Sequence, residues 1–392
     1  MRILFVTPYV PSQVRIRPYA FIRELARRGH QVTLVCLVQP AWEAQYLPEV
    51  TPYCEAVYPI FLSRFEPLLR TVFSLPTRTP LSVAYCRSEQ LDQLIRYLVQ
   101  QGHYDVIHTE FLRVAPATVH LNGSPKVYDA VDSLVLTYRR SMSAAHVSPQ
   151  QRMIALIEWL KLRRFEPSLL KHYDRLLVSS PADQRAMEPA NSPVTVIPNG
   201  VYLDYFTFQD QPRETETIMF LGKMSYYVNV SSVLWFYRQV FPLIRNHRPG
   251  VKFQIVGRNP VPKIAALAQD PNVEVTGTVP DVRPYLSQAT VTICPMVSGA
   301  GIQNKMLESM AVGTPCVSTS LACQALSVEP GRDVLIADTA ETFAASVLEL
   351  LDDPNFRHNL SINGRQYVET NHAWDRIGES LNGIYSNLAS AR

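Results

Sequence analysis

Short apolar runs alternate with amphipathic stretches along the whole chain. The runs at 3–7, 32–37, 106–108, 126–128 and 175–179 are rich in Val, Ile and Leu and too short for helices. They predict strands buried on both faces. Between them, 19–28 predicts a helix closed by Gly29. Residues 88–101 predict another, with Leu91, Leu94, Ile95 and Leu98 on one face and Gly102 at its end. After a polar, charged stretch at 209–217 the alternation starts again. Strands are predicted at 218–221, 253–256, 273–275, 291–294, 316–318 and 334–336. Helices are predicted at 230–245, 282–288, 302–311 and 341–351, and a last one from Trp374 to about Leu388. Strands alternating with helices imply parallel sheets covered on both faces. A chain of 392 residues is long for one such unit, so the pattern predicts two α/β domains.

Composition agrees, because 47% hydrophobic against 18% charged residues can fill two cores. The net charge of +3 hides an asymmetry. Residues 1–195 carry 22 Lys and Arg against 16 Asp and Glu, whereas 196–392 carry 15 against 18. A basic first half suits anionic lipid headgroups or phosphorylated acceptors, and a solvated surface accounts for the same charges. Nothing calls for nucleic acid. The six cysteines form no C-x-x-C pair and no metal spacing, which fits a reducing cytosol. The opening apolar run meets Pro8 too early for a signal peptide, and no run of about 18 uncharged apolar residues spans a bilayer. The expected location is therefore cytoplasmic, with possible contact to the inner face of the cytoplasmic membrane.

The most informative segment is Gly299 to Pro315, GAGIQNKMLESMAVGTP. It reads as a glycine loop, a helix and a turn into a strand. Loop glycines let backbone N–H groups approach a phosphate, and a helix starting there aims its positive end at the anion. Glu308 lies about two helical turns past Gly301, where a carboxylate can accept hydrogen bonds from sugar hydroxyls. Diphosphate at the helix start and hydroxyls further along describe a nucleotide-sugar. A triphosphatase loop is excluded, because Asn304 stands where its second Gly belongs and Met306 where Ser or Thr belongs. A dinucleotide fingerprint fails because its third glycine falls on Asn304. A purely structural glycine turn remains the plain alternative.

These residues resemble the donor-binding motif of the retaining GT-B glycosyltransferases of family 4, in particular a subgroup with Gly-x-Gly-Ile-x-Asn-Lys-x-Leu-Glu linked to bacterial exopolysaccharide systems of the PEP-CTERM/EpsH type. The likeness continues in Arg15-x-Arg17-Pro18-Tyr19, in the 196–201 run VIPNGV with Phe206, in Phe220-Leu221-Gly222-Lys223 and in Ile255-Val256-Gly257. It implies a GT-B fold of two Rossmann-like parallel-sheet domains facing across a cleft. The expected divisions are an acceptor domain over 1–205, a donor domain over 206–373, and a final helix over 374–392 that crosses back to the first. The resemblance implies donor contacts from Gly222, Lys223, Arg258, Gly299, Gly301, Ile302, Gln303, Asn304, Lys305 and Glu308. Lys223 would offset charge building on the leaving nucleoside diphosphate, with Lys305 as a second cation.

Three departures from that pattern stand out. The family's first acid falls on Ala300, its second diphosphate lysine on Asn229, and its N-domain histidine on Val131, with Asp132 following. Arg15, Arg17, Asp129 and Asp132 lie just past predicted strands of the first domain and are candidates for polar work at the cleft, Asp132 also for catalysis. Ion pairing or capping is an equal account of Asp129. No metal-ligand cluster and no D-x-D pair ends a strand, so the expected reaction needs no metal and no cofactor beyond a UDP- or GDP-sugar co-substrate. Basic and large apolar residues mix at 61–85, which includes Arg64, and at 136–165, which includes Arg139, Arg140, Arg163 and Arg164. Both stretches fit an interfacial surface or, equally, helices with a solvated back. The expectation is a retaining glycosyltransferase acting on a glycan, lipid-linked or small-molecule acceptor in surface polysaccharide or glycolipid synthesis. The alternatives are a GT-B nucleotide-sugar epimerase, whose acid- and histidine-rich site is missing here, and a weakly catalytic GT-B scaffold.

Overall fold

The computed structural model describes residues 1–63, 65–143, 149–187, 193–210, 213, 216–299 and 301–391. Ala300 and Arg64 lie outside the described residues, as does the side chain of Arg140. The chain divides into two compact units. One comprises Met1–Pro198 with Asp375–Arg392, the other Asn199–Trp374. Residues 199–205 therefore join the second unit, where the Val201 N–H donates to His372 O at 2.8 Å and Val201 O accepts from the Trp374 N–H at 3.3 Å.

The first unit is built on seven strands: β1 Arg2–Thr7, β2 Gln31–Val38, β3 Ala56–Phe61, β4 Val106–Glu110, β5 Lys126–Val131, β6 Arg175–Val178 and β7 Val194–Val196. All pair parallel, in the order β3-β2-β1-β4-β5-β6-β7. Strand β3 was not predicted, because Pro59 interrupts its apolar pattern. It lies at the sheet edge, the one place where a missing N–H costs no ladder bond. The final helix begins at Trp374, and its body packs in this unit. Its Leu381 and Tyr385 are fully buried. Gly378 permits the approach, since a Cβ there would lie 2.6 Å from Glu24 Cβ.

The second unit has six parallel strands: β8 Thr217–Leu221, β9 Lys252–Val256, β10 Val273–Gly277, β11 Val291–Cys294, β12 Cys316–Ser318 and β13 Leu335–Ile336. Their order is β10-β9-β8-β11-β12-β13. Phe220, Phe236, Phe253 and Phe343 are fully buried in its core. Each such burial is worth roughly 1.5–3 kcal/mol.

Two helical expectations change. The helix expected at 230–245 is two segments, Tyr227–Trp235 and Phe241–His247, joined by a π turn over Phe236–Val240. Pro242 supplies no N–H for the preceding turn, and the wider turn absorbs its ring. A helix over Pro354–Asn371 was not predicted at all. Its polar, Gly-containing sequence lacks a clear stripe, yet Asp353 caps it by accepting from the Asn355 and Phe356 N–H groups at 2.9 Å each.

Strand order reverses between β1 and β4 in the first sheet, and between β8 and β11 in the second. Ligands of open α/β sheets bind at such switch points, outside the carboxyl ends of the strands. The segments that follow β1, β4, β8 and β11 are thus the places to look for chemistry.

Candidate active site

In the second unit, β8 runs out into Gly222 and Lys223. The Gly222 N–H donates to Val256 O at 3.0 Å. The end of β9 packs against this turn so closely that a Cβ on Gly257 would sit 1.8 Å from Gly222 O, and Gly257 holds φ +146. Only glycine fits there. The Lys223 ammonium is exposed and meets no acceptor among the described residues, and the same holds for the half-buried Arg258 side chain. The helix Tyr227–Trp235 follows with no side-chain cap and no acid in its first turn.

After β11 comes the glycine loop. Gly299 holds φ +115 and Gly301 φ +80. A Cβ on Gly299 would strike Met296 Cε at 2.6 Å and Val228 Cγ1 at 3.2 Å. The helix starts at Asn304, two residues later than predicted, because Ile302 and Gln303 still belong to the loop. Gln303 occupies its N-cap without capping it, no acid lies in its first turn, and it closes at Val312 with Gly313 left-handed. Two buried polar atoms of this segment, Ser298 Oγ and Asn304 Oδ1, have no hydrogen-bond partner among the described residues. Uncapped N–H groups and orphaned polar atoms mark a loop built to receive something polar.

Lys305 sits in the first turn of that helix. Its Nζ donates to Asn229 Oδ1 at 2.7 Å and lies 4.2 Å from the Phe220 ring centroid. No carboxylate comes within ion-pair distance of it among the described residues. Burial lowers its pKa from the ordinary lysine value, against the opposing fields of Cys294 and Glu308. Glu308, one turn on, makes no hydrogen bond among the described residues. Burial pushes its carboxyl up to about 7, with the Lys305 charge pulling the other way.

The first unit places a different constellation at its switch point. Arg17, a candidate cleft group, and Asp129, for which ion pairing was an equal account, form a buried bidentate pair, Nε to Oδ2 at 2.7 Å and Nη2 to Oδ1 at 3.0 Å. Arg17 Nη1 also donates to Ile197 O at 2.8 Å. Arg15 stacks over Tyr9 at 4.1 Å and pairs with Glu43 at 2.5 Å. Asp132 accepts from Ser179 Oγ at 2.8 Å, and burial, then the nearby Asp183 charge, raises its pKa. Val131, at the expected histidine position, sits at φ +62, as does Phe111 after β4. For bulky residues this is strained backbone, a feature that concentrates at functional sites.

Two groups of this network, Glu110 and His108, were not foreseen. Glu110 ends β4 fully buried, accepts from the Tyr9 hydroxyl at 2.6 Å, and leaves Oε2 without a partner among the described residues. Burial, then the Asp129 charge, pushes it up to about 8. His108, fully buried, shares a 2.6 Å hydrogen bond with Tyr385, and burial drops its pKa to about 4. The only available signal was polar residues inside an apolar run, His108-Thr109-Glu110.

Comparison with known proteins agrees with this geometry. Residues 17–205 match the family model described as Glycosyltransferase Family 4, and residues 215–353 match one described as Glycosyl transferases group 1. The chain belongs to the group 1 glycosyltransferases of GT-B fold. It is 23% identical over 405 residues, 100% of this chain and 98% of the relative, to a phosphatidyl-myo-inositol mannosyltransferase of Mycobacterium leprae. Among solved structures, sucrose-phosphate synthase of Thermosynechococcus elongatus superposes with TM-score 0.70 at 17% identity, covering 100% of both chains. Anabaena Alr3699/HepE in complex with UDP-glucose superposes with TM-score 0.65 at 15% identity, covering 99% of this chain and 100% of the other.

The Arg17–Asp129 pair generates a direct test of its role. Arg17→Met leaves Asp129 buried and uncompensated, and should cost about 3–5 kcal/mol of stability by urea denaturation. Adding Asp129→Asn should recover part of that loss. An Arg17→Met variant of unchanged stability but impaired transfer would instead make Arg17 a substrate contact.

Proposed function

We propose that this glycosyltransferase takes its sugar from a nucleotide-diphosphate sugar, with a UDP- or GDP-sugar as donor, and passes it on with retention of configuration to a glycan or lipid-linked acceptor. The observation that carries the reading is the Lys305 ammonium with no carboxylate partner among the described residues, at a helix start without a side-chain cap beside a glycine loop. Such a site is incomplete without an anion. Lys223, at the end of the adjacent strand, supplies a second cation suited to charge that grows on the leaving diphosphate. Glu308 offers its carboxylate to sugar hydroxyls of the nucleotide. The Anabaena structure with UDP-glucose and the mannosyltransferase relative support a donor of this class. Surface polysaccharide or glycolipid synthesis is the matching role.

Among the described residues no cluster of three or more His, Cys, Asp or Glu side chains is placed to hold a metal ion. The proposed reaction uses Lys223 and Lys305 in place of a metal, and activity that disappears in excess EDTA would contradict this. NMR of the first-formed product should show the donor's anomeric configuration kept.

The first unit adds a proposed membrane contact. Phe65, Leu68, Leu69, Val72 and Phe73 are all exposed, at the 3, 4, 7 and 8 spacing of one helix face, on and just before the helix Glu66–Ser74. The apolar face points outward. The helix Pro149–Leu170 adds exposed Met153, Ile154 and Leu160 with exposed Arg163 and Arg164. Its Lys161 Nζ donates to Ser74 O at 2.6 Å, which links the two helices. Apolar residues bordered by arginines suit an anionic bilayer surface. No helix among the described residues is long and apolar enough to cross a membrane.

Two outcomes follow. The ionised form of Glu308 is the better acceptor, so donor affinity should strengthen as pH rises through about 7. Glu308→Gln should remove that dependence and weaken donor binding on the order of 10- to 100-fold. The sign reverses for stability. A carboxyl raised by burial favours the folded state only below its folded pKa, so ligand-free Glu308→Gln should melt higher than wild type at pH 8, the gap narrowing toward pH 5. Unchanged affinity and pH profile would remove Glu308 from the site. For the surface, sedimentation with anionic vesicles should fall steeply from low to high salt, and Phe65→Ser with Phe73→Ser should abolish it. Equal recovery in the supernatant with neutral and anionic vesicles at low salt would show that these helices do not meet lipid.

A further inference from the structure

One side chain ties the two donor loops together. Asn229 lies in the first turn of the helix Tyr227–Trp235 and is 8% exposed. Its Oδ1 accepts from Lys305 Nζ at 2.7 Å, and its Nδ2 donates to Lys223 O at 3.1 Å. It therefore grips the first turn of the Asn304–Val312 helix, just past the glycine loop, with one end and the β8 turn with the other. Gly222 makes room for it, since a Cβ there would lie 2.6 Å from Asn229 Nδ2. The Phe220 ring, 4.2 Å away, contacts the same ammonium.

The chemistry of this grip is selective. A carboxylate at 229 would hold Lys305 more strongly, but it would neutralise the charge an incoming anion needs. An apolar residue would leave a half-buried ammonium unheld and free to swing away. A neutral amide does neither. It fixes the direction of the Nζ–H bonds and leaves the full positive charge and two donor hydrogens for a ligand. The aromatic face acts likewise, because its attraction for the cation adds no net charge.

We propose that Asn229 is a positioning residue for sugar transfer, holding the Lys305 ammonium in place and uncompensated for the donor diphosphate. This rests on the reading that the glycine loop binds that diphosphate. The donor's charge then replaces the missing counter-ion, and the Lys223 turn is drawn into register by the same amide. Asn229 does not touch the substrate; it acts through Lys305 and through the backbone of Lys223.

The proposal predicts opposite movements of stability and affinity. Asn229→Asp keeps the shape and gives Lys305 an ion-pair partner. The variant should melt at or above the wild-type temperature in ligand-free form, yet bind UDP-glucose or GDP-mannose, whichever the wild type uses, at least tenfold more weakly, with turnover reduced. Asn229→Lys and Lys305→Asn should each lose at least tenfold in donor affinity. Combining them reverses the hydrogen bond and moves the cation to the other end of it, so the double variant should bind within a few-fold of wild type. The measurements are calorimetric donor titration, steady-state kinetics and thermal melts on the full chain. Wild-type binding with unchanged affinity in Asn229→Asp would overturn the proposal. So would an affinity loss that merely follows a lowered melting temperature, or a double variant no better than the worse single one. A wild type that binds no nucleotide-sugar overturns the donor reading itself, a separate result.

Discussion

A positive charge held half out of water without a negative partner is costly, and the second unit is organised around one. Lys305 is oriented by a neutral amide and an aromatic ring rather than by a carboxylate. Around it, two helices start uncapped and without acids in their first turns, on the segments after adjacent strands β8 and β11. Their partial positive ends add to the same field. The glycines follow from this arrangement. Gly222 admits Asn229, Gly257 lets the β9 end close over the β8 turn, and Gly299 lets the loop fold over Met296 and Val228. Replacing any of them pushes apart the groups that hold the charge.

The first unit has the same parallel topology but pairs its charged groups with one another. At its switch point the charges are matched internally. Arg17 pairs with Asp129, Tyr9 binds Glu110, and Asp132 is held by Ser179. Burial pushes the Glu110 carboxyl up to about 8, toward its neutral form near pH 7. The backbone holds the tension there instead, at Phe111 and Val131.

Much of this was legible in the chain. Short continuous apolar runs locate most strands within two residues, because parallel strands buried on both faces read as uninterrupted Val, Ile and Leu. What patterning missed had a physical reason in each case. Strand β3 tolerates Pro59 only because it is an edge, and edges are not visible before the sheet order is known. The Pro354–Asn371 helix is stabilised by its Asp353 cap and its packing rather than by a stripe. The glycine loop and the helix after it were readable because the glycines and Lys305 are nearly contiguous. The Asn229–Lys305 contact was not, since its partners are 76 residues apart; from sequence Asn229 looked like a lost cation. Arg17 reads as a cleft group, and Asp129 equally as a cleft group or an ion-pair member, because sequence shows charge but not the partner that neutralises it.

We propose that the second unit's switch point holds a diphosphate through Lys305 and the start of the Asn304–Val312 helix. A crystal structure of the protein with UDP or GDP tests it most directly. The account predicts a diphosphate oxygen within about 3 Å of Lys305 Nζ and of a backbone N–H in the first turn of the Asn304–Val312 helix, with ribose hydroxyls at Glu308. A nucleotide bound elsewhere, or at this loop with Lys305 turned away from its phosphates, would contradict it.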